Sequence, residues 1–494
     1  MPPADKKYYR LIISRLNGYE LGKLKYRESL ALLVEKGIGG FIIFGGTKDE
    51  VTACIAELQT LAKERLVIAC DIERGVGQHL EGALHFPTQM AVAAATDLNN
   101  ISEIRQLEKA ITMVAQEAAQ AGINMPLIPV LDINSNPDNP IICTRAFSDN
   151  PATVAGLGKI YISAIEGAGL ISCAKHFPGH GDTDTDSHID LPLISKSLND
   201  LRAQDLVPFA AAIQAGISSI MLGHLSIPAI DHLPASLSKR IVTGLLKEEL
   251  GFPGLILTDA LNMHALREYG SAATGCINAG ADIILHPDDA DTAASELAAD
   301  VASGALTESK IDKAAARINE YVKKTPLDQT AFRLETDAKA IFTELYERSI
   351  TLIHNSKDIV PLKDTHKISL MVCGDDTSPD ISTLKELFGC PLKFTDETSN
   401  IDHDGILLVG IFTNIAAWHG SSGISSLNTD MIKLALSSFR RSIVISFGSP
   451  YVLRHFMEAD TLIAAYDSSL QAQQAAMRCL MGEISFKGNM PISL

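Results

Sequence analysis

One pattern constrains the fold of this chain more than any other. Over the first two-thirds, short apolar runs that end in a polar residue alternate with amphipathic helical stretches. The runs are GFIIF (40–44), RLVIACD (65–71), PLIPVLD (126–132), LISCAKH (170–176), SSIMLGH (218–224), GLILTDA (254–260) and ADIILHP (281–287). Helical stretches separate them, for example 101–121, 151–167 and 238–250. Near-continuous apolar strands alternating with helices mean a parallel sheet covered by helices. Seven such runs predict an α/β fold, an eightfold (β/α)8 barrel of the TIM type with one strand irregular or unrecognised. An open doubly wound sheet is the rival arrangement. In a barrel the active site occupies the C-terminal strand ends. That rule singles out Asp71, Asp132, Lys175, His176, His224, Asp259 and His286.

Around KKTPLDQTAFRLET (323–336) the pattern gives way to a polar, proline-containing linker. A helix over about 337–348 and a strand, SITLIHN, open a second unit. The strands KISLMVCG, DGILLVGIF, RSIVISFG and DTLIAAY then alternate with helices over 428–438 and 470–481. The sequence thus predicts a barrel catalytic domain over 1–325, a linker and connecting helix over 326–345, and a smaller α/β sandwich over 346–494. No solenoid repeat and no low-complexity segment interrupts this order.

Composition excludes several classes of function. A formal net charge of −17 leaves no basic stripe to track phosphates, which argues against a nucleic-acid partner. No apolar run approaches the roughly 20 residues that span a bilayer, and the N-terminus MPPADKKYYRLIISRL lacks the apolar core of a secretion signal. A cytoplasmic protein is expected. The eight cysteines form no C-x-x-C pair. Cys70, Cys173 and Cys373 lie in or beside apolar runs, where a free thiol acts as a small hydrophobe, so disulfides are not expected. The sequence shows no metal site, no phosphate-cradling glycine loop, no cofactor and no obligate protein partner.

The densest chemistry lies in ISCAKHFPGHGDTDTDSHIDLP (171–192). An apolar strand ends in Lys175 and His176, and Pro178, Gly179 and Gly181 turn the chain into a loop. Between Ala174 and His188 stand three histidines, one lysine and three aspartates, too many polar groups for a packing element. They surround a ligand or form a solvated loop, and placement at a strand end favours the ligand. Asp259, directly after the GLILT run, is a carboxylate placed to attack an anomeric carbon or to cap the following helix. On spacing alone the two readings are even.

The string KHFPGHGDTDTDSH resembles the signature of glycoside hydrolase family 3, in its β-N-acetylglucosaminidase branch. Its GHGDT and DSH portions separate that branch from the family's β-glucosidases. The barrel-plus-sandwich order and the closing GEISFKGNMPISL are similar to the family's two-domain form. The resemblance implies that Asp259, in the family's S/T-D-x-L-x-M motif, is the nucleophile. It implies that His188, oriented by Asp186, is the acid/base. Such a pair can work because imidazole titrates near neutrality and a carboxylate stabilises the imidazolium. By the same resemblance Lys175 and His176 donate to sugar hydroxyls, Asp71 accepts from two of them, and Arg145 in CTRAFSDNP is the sugar-binding arginine. Without it, Asp71 would read as half of a salt bridge with Arg74, Arg145 as a surface arginine, and His188 as a solvated loop histidine. His180 and Asp182 read as residues that shape the loop, and Asp132, His224 and His286 as supporting groups.

One departure stands out. Where the family has D-x-E-G-G-R-V-x-R, this chain has DIERGVGQH, so Arg74 replaces a glycine and His79 stands where a sugar-contacting arginine is expected. The expectation is a retaining exo-β-N-acetylglucosaminidase acting on an oligosaccharide or glycopeptide, such as a peptidoglycan fragment. The alternatives are a phosphorylase of the same glycosides, a β-glucosidase or xylosidase, and a sugar-binding protein that has lost catalysis.

Overall fold

The structure, a computed structural model, describes residues 5–184, 191–263, 266, 269–326, 337–363, 367–374, 379–389, 403–413, 415 and 421–494. The chain forms two compact units. The first comprises Met1–Phe86, Arg105–Ile133 and Val154–Ala338, and the second Pro87–Ile104, Asn134–Thr153 and Lys339–Leu494.

Among the described residues eight parallel strands build the first unit: β1 (Ile12–Asn17), β2 (Gly40–Phe44), β3 (Val67–Cys70), β4 (Met125–Pro126), β5 (Cys173–Phe177), β6 (Ser219–Leu222), β7 (Leu255–Thr258) and β8 (Ile284–Leu285). Their ladders run β4-β3-β2-β1-β8 and β5-β6-β7. Two seams join these sheets into a barrel. At one, Val130 bridges Lys175, and the Leu131 N–H donates to the Lys175 carbonyl at 2.7 Å. At the other, Leu257 bridges Ile283, and the Thr258 N–H donates to the Ile283 carbonyl at 3.1 Å. β4 is short because Pro126 and Pro129 have no N–H to give a ladder. The strand missing from the sequence reading is β1, where Arg15 breaks the run IISRLN that would otherwise look apolar.

The helices follow the pattern closely. Ile101–Gln120 and Pro151–Gly167 fall where periodicity puts them, and the stretch expected over 238–250 is a π-helix, Arg240–Glu249. No described helix is long and apolar enough to cross a membrane. The seven described cysteines are buried free thiols.

Among the described residues the second unit is a five-stranded sheet, β9 (Thr351–Asn355), β10 (Ile368–Cys373), β11 (Ile406–Phe412), β12 (Arg441–Phe447) and β13 (Thr461–Ala464), in the order β10-β11-β12-β13-β9, and of these β9 is antiparallel. Alternate residues of β11 face opposite cores. Leu407, Val409 and Ile411 pack with Met90, Ala91 and Ala94, while Leu408 and Phe412 pack with Tyr346, Ile463 and Leu480. A sheet buried on both faces explains why its strands read as unbroken apolar runs.

Candidate active site

Strand register brings the chemistry of the first unit to one end of the barrel. Phe177 pairs with Leu222 and Leu222 with Thr258, so Lys175–His176, Gly223–His224 and Asp259 lie in neighbouring layers. On the other arc, Ile42 pairs with Ala69, which sets Phe44 beside Asp71 one layer up.

Lys175 is almost fully buried, and two carboxylates answer its charge. Its ammonium lies 2.5 Å from Asp71 and 2.6 Å from Glu73. A buried ammonium is tolerable only with such partners. Asp71 therefore pairs with Lys175, not with Arg74 as the salt-bridge alternative supposed. Glu73 is the residue that sequence reasoning missed. Its signal was the second carboxylate of the D-x-E spacing, two positions from Asp71. Glu73 is buried while Asp71 keeps about a quarter of its side chain exposed (27%). Asp71 is thus the carboxylate of the pair left open to a ligand.

His176 is oriented by Asp132. The Asp132 carboxylate, wholly buried, lies 2.7 Å from His176 Nδ1 and accepts the backbone N–H groups of His176 and His180. Burial alone would raise this carboxyl, but the His176 charge and hydrogen bond, with help from His180, hold it below the usual carboxylate range. A proton on Nδ1 directed at the carboxylate leaves Nε2 as the second ring nitrogen for a ligand. His180 is buried, its imidazole pushed down to about 4 by desolvation and the His176 charge, and its Nδ1 lies 3.0 Å from Thr183 Oγ1.

The loop after β5 has a fixed base. A Cβ on Gly181 would sit 1.7 Å from the Ile133 carbonyl oxygen, and Gly179 takes φ +132 beside Asp205. Lys196 joins the two sides, 3.0 Å from Asp205 and 3.7 Å from Asp182. Asp186 and His188, the acid/base pair implied by the resemblance, lie outside the described residues.

Asp259 ends β7. Its N–H donates to the Leu222 carbonyl at 3.0 Å, and its Oδ1 accepts the next N–H, that of Ala260, at 2.7 Å. The helix Ala272–Ala279 begins after Ser271, so Asp259 does not cap it. Its charge reaches both His180 and Cys173. His224 is buried with Nδ1 2.8 Å from Ser236 Oγ. His286 packs its ring 5.4 Å from Phe44, which meets His79 edge-on at 5.6 Å. Arg145 belongs to the second unit, in the one-turn helix Cys143–Arg145, where it donates to the Ile141 carbonyl at 3.0 Å. No group of three or more histidine, cysteine or acidic side chains is arranged to hold a metal among the described residues.

Comparison with known proteins identifies the family and the fold. The glycosyl hydrolase family 3 N-terminal domain pattern matches residues 5–321. A beta-N-acetylglucosaminidase/beta-glucosidase of Cellulomonas fimi is 26% identical over 507 residues, covering 92% of this chain and 88% of that protein. A beta-hexosaminidase A of Pseudoalteromonas piscicida is 31% identical over 389 residues, covering 70% of this chain and 64% of its own. Among solved structures, a glycoside hydrolase family 3 beta-N-acetylglucosaminidase from Paenibacillus sp. strain FPU-7 superposes with a TM-score of 0.82 at 27% identity, covering 99% of this chain and 98% of that one. The chain belongs to glycosyl hydrolase family 3, and it is a glycoside hydrolase acting on carbohydrate.

Proposed function

We propose that this protein is a retaining exo-β-N-acetylglucosaminidase. The observation that carries the reading is the meeting, at one end of one barrel, of a strand-end carboxylate (Asp259) with two preorganised polar groups, the Asp71–Lys175–Glu73 cluster and the Asp132–His176 pair. Asp71 accepts hydroxyl protons of the terminal sugar while Lys175 and His176 donate to it. Asp259 attacks the anomeric carbon, and His188, paired with Asp186, protonates the departing oxygen. His188 then activates water to release the sugar from Asp259. The Asp259 carboxylate stabilises the positive charge that develops on the ring, and protonation by His188 relieves the negative charge on the leaving oxygen. Arg145 enters as a sugar-binding candidate on the family resemblance. Peptidoglycan fragments are the natural substrate that the same resemblance supports.

The test is hydrolysis of 4-nitrophenyl β-N-acetylglucosaminide and β-glucoside side by side, each with and without phosphate. Preference for the N-acetyl sugar, unaffected by phosphate, is the expected result. A phosphate-dependent rate with sugar phosphate as product would replace hydrolase by phosphorylase. Glucoside preference would place the enzyme with the β-glucosidases, and sugar-induced thermal stabilisation without turnover would make it a binding protein.

A further inference from the structure

Inward positions of a (β/α) barrel are ordinarily filled by branched aliphatic side chains. Arg15 breaks that rule on β1. Arg15 pairs with Ile42 and Ile42 with Ala69, so these three side chains share one face of the sheet, and Asn17 pairs with Phe44 in the layer above. The next position on that face, just past the end of β3, is Asp71, whose carboxylate takes the buried Lys175 ammonium. Arg15 therefore projects into the barrel mouth from one layer below Asp71. It is nevertheless exposed to solvent, so the mouth is open at that depth.

The charge of opposite sign that acts alongside Arg15 on the His286 ring is that of Asp288. The guanidinium lies 4.9 Å over the Phe44 ring, and among the described residues it makes no ion pair. Phe44 in turn touches His79 and His286. Burial holds both imidazoles toward their neutral form, His286 down to about 4 with the Arg15 charge adding to the effect. Across the mouth, Lys175 is already matched by two carboxylates. A guanidinium that lies over an aromatic ring and makes no ion pair among the described residues suits an oxyanion, which it takes through paired hydrogen bonds.

We propose that Arg15 is a specificity-determining residue that receives an anionic substituent, a carboxylate, sulfate or phosphate, on the terminal sugar held by Asp71 and Lys175. The inference rests on the glycosidase reading above and extends its substrate class to terminal sugars that carry an anionic substituent.

Calorimetric binding tests it, with N-acetylglucosamine, its 6-sulfate, its 6-phosphate, glucuronic acid and inorganic phosphate titrated into wild type, Arg15→Gln and Arg15→Lys. Charge-assisted pairing leads to an advantage of about ten- to hundredfold for at least one acidic sugar over the neutral one in wild type. That ratio should collapse in Arg15→Gln and return in part in Arg15→Lys, with thermal unfolding showing that both variants fold. The three acidic sugars tell carboxylate from sulfate and phosphate. Equal affinity for neutral and acidic sugars, a preference that survives Arg15→Gln, or inorganic phosphate binding as tightly as every acidic sugar would overturn the proposal. Rates on 4-nitrophenyl β-N-acetylglucosaminide separate the two readings. Arg15-dependent acidic-sugar binding without turnover of any glycoside would overturn the reaction and leave the anion site. Turnover without charge preference would do the reverse.

Discussion

Lys175 carries the tightest constraint at the scale of single residues. A nearly fully buried ammonium held by Asp71 and Glu73 fixes the orientation of Asp71, the one carboxylate of the three-residue cluster that keeps partial exposure. Glu73→Gln removes one answering charge but leaves Asp71, so the expected loss of stability is about 1–3 kcal/mol, the range for a buried polar group left short of a partner. Chemical denaturation measures it. The same variant should raise KM more than it lowers kcat, because the cluster binds sugar in the ground and transition states alike. A drop in kcat alone would assign Glu73 a part in the chemistry. Asp259→Asn keeps the shape and removes the proposed nucleophile, and turnover should vanish while sugar binding persists. The sequence made Asp71, Lys175 and Asp259 legible because each ends an apolar run. It hid Glu73, whose side chain sits past the strand, and Arg15, whose charge inside an apolar strand masks β1 altogether.

The loop after β5 and the strand ends around it set the behaviour of whole elements. Gly181 backs onto the Ile133 carbonyl with no room for a methyl group, so Gly181→Ala must shift backbone. A cost of about 1–3 kcal/mol is expected for such overpacking, with activity falling further than stability because the displaced loop leads to Asp186 and His188. Normal activity in this variant would mean the loop base does not position them. The buried histidines add a pH dependence. His180 and His286 are pushed down to about 4, whereas an unfolded histidine titrates near 6.5. The unfolded chain takes up these protons first, so stability is full above about pH 6.5 and is lost as pH falls toward 4. The slope is up to about 1.4 kcal/mol per pH unit for each histidine. Thermal unfolding of His286→Gln across pH 4–7 should give a shallower decline than wild type, and equal slopes would contradict the assignment. None of this was readable from sequence, since burial of a histidine depends on what the fold brings over it.

Over the whole molecule, the strand–helix alternation made both sheets legible, while the segments that each compact unit recruits were not. Pro87–Ile104 and Asn134–Thr153 fall inside the predicted barrel stretch, yet Met90, Ala91 and Ala94 pack on the second sheet. Sequence order gives no sign of that, because a helix records which face is apolar and not which sheet covers it. The second unit depends on its double-faced sheet, so Leu408→Ala, at a fully buried position of β11, should cost about 2–5 kcal/mol, read as a lowered unfolding midpoint. The central claim is that Asp259 forms a covalent bond to the sugar. Its most direct test is mass spectrometry of the protein after reaction with a slow fluorinated β-N-acetylglucosaminide, followed by peptide mapping. The expected result is one sugar added to the peptide that contains Asp259, disappearing as the intermediate turns over and absent in Asp259→Asn. An adduct on another carboxylate, or turnover that yields the inverted sugar with no adduct at all, would contradict the account.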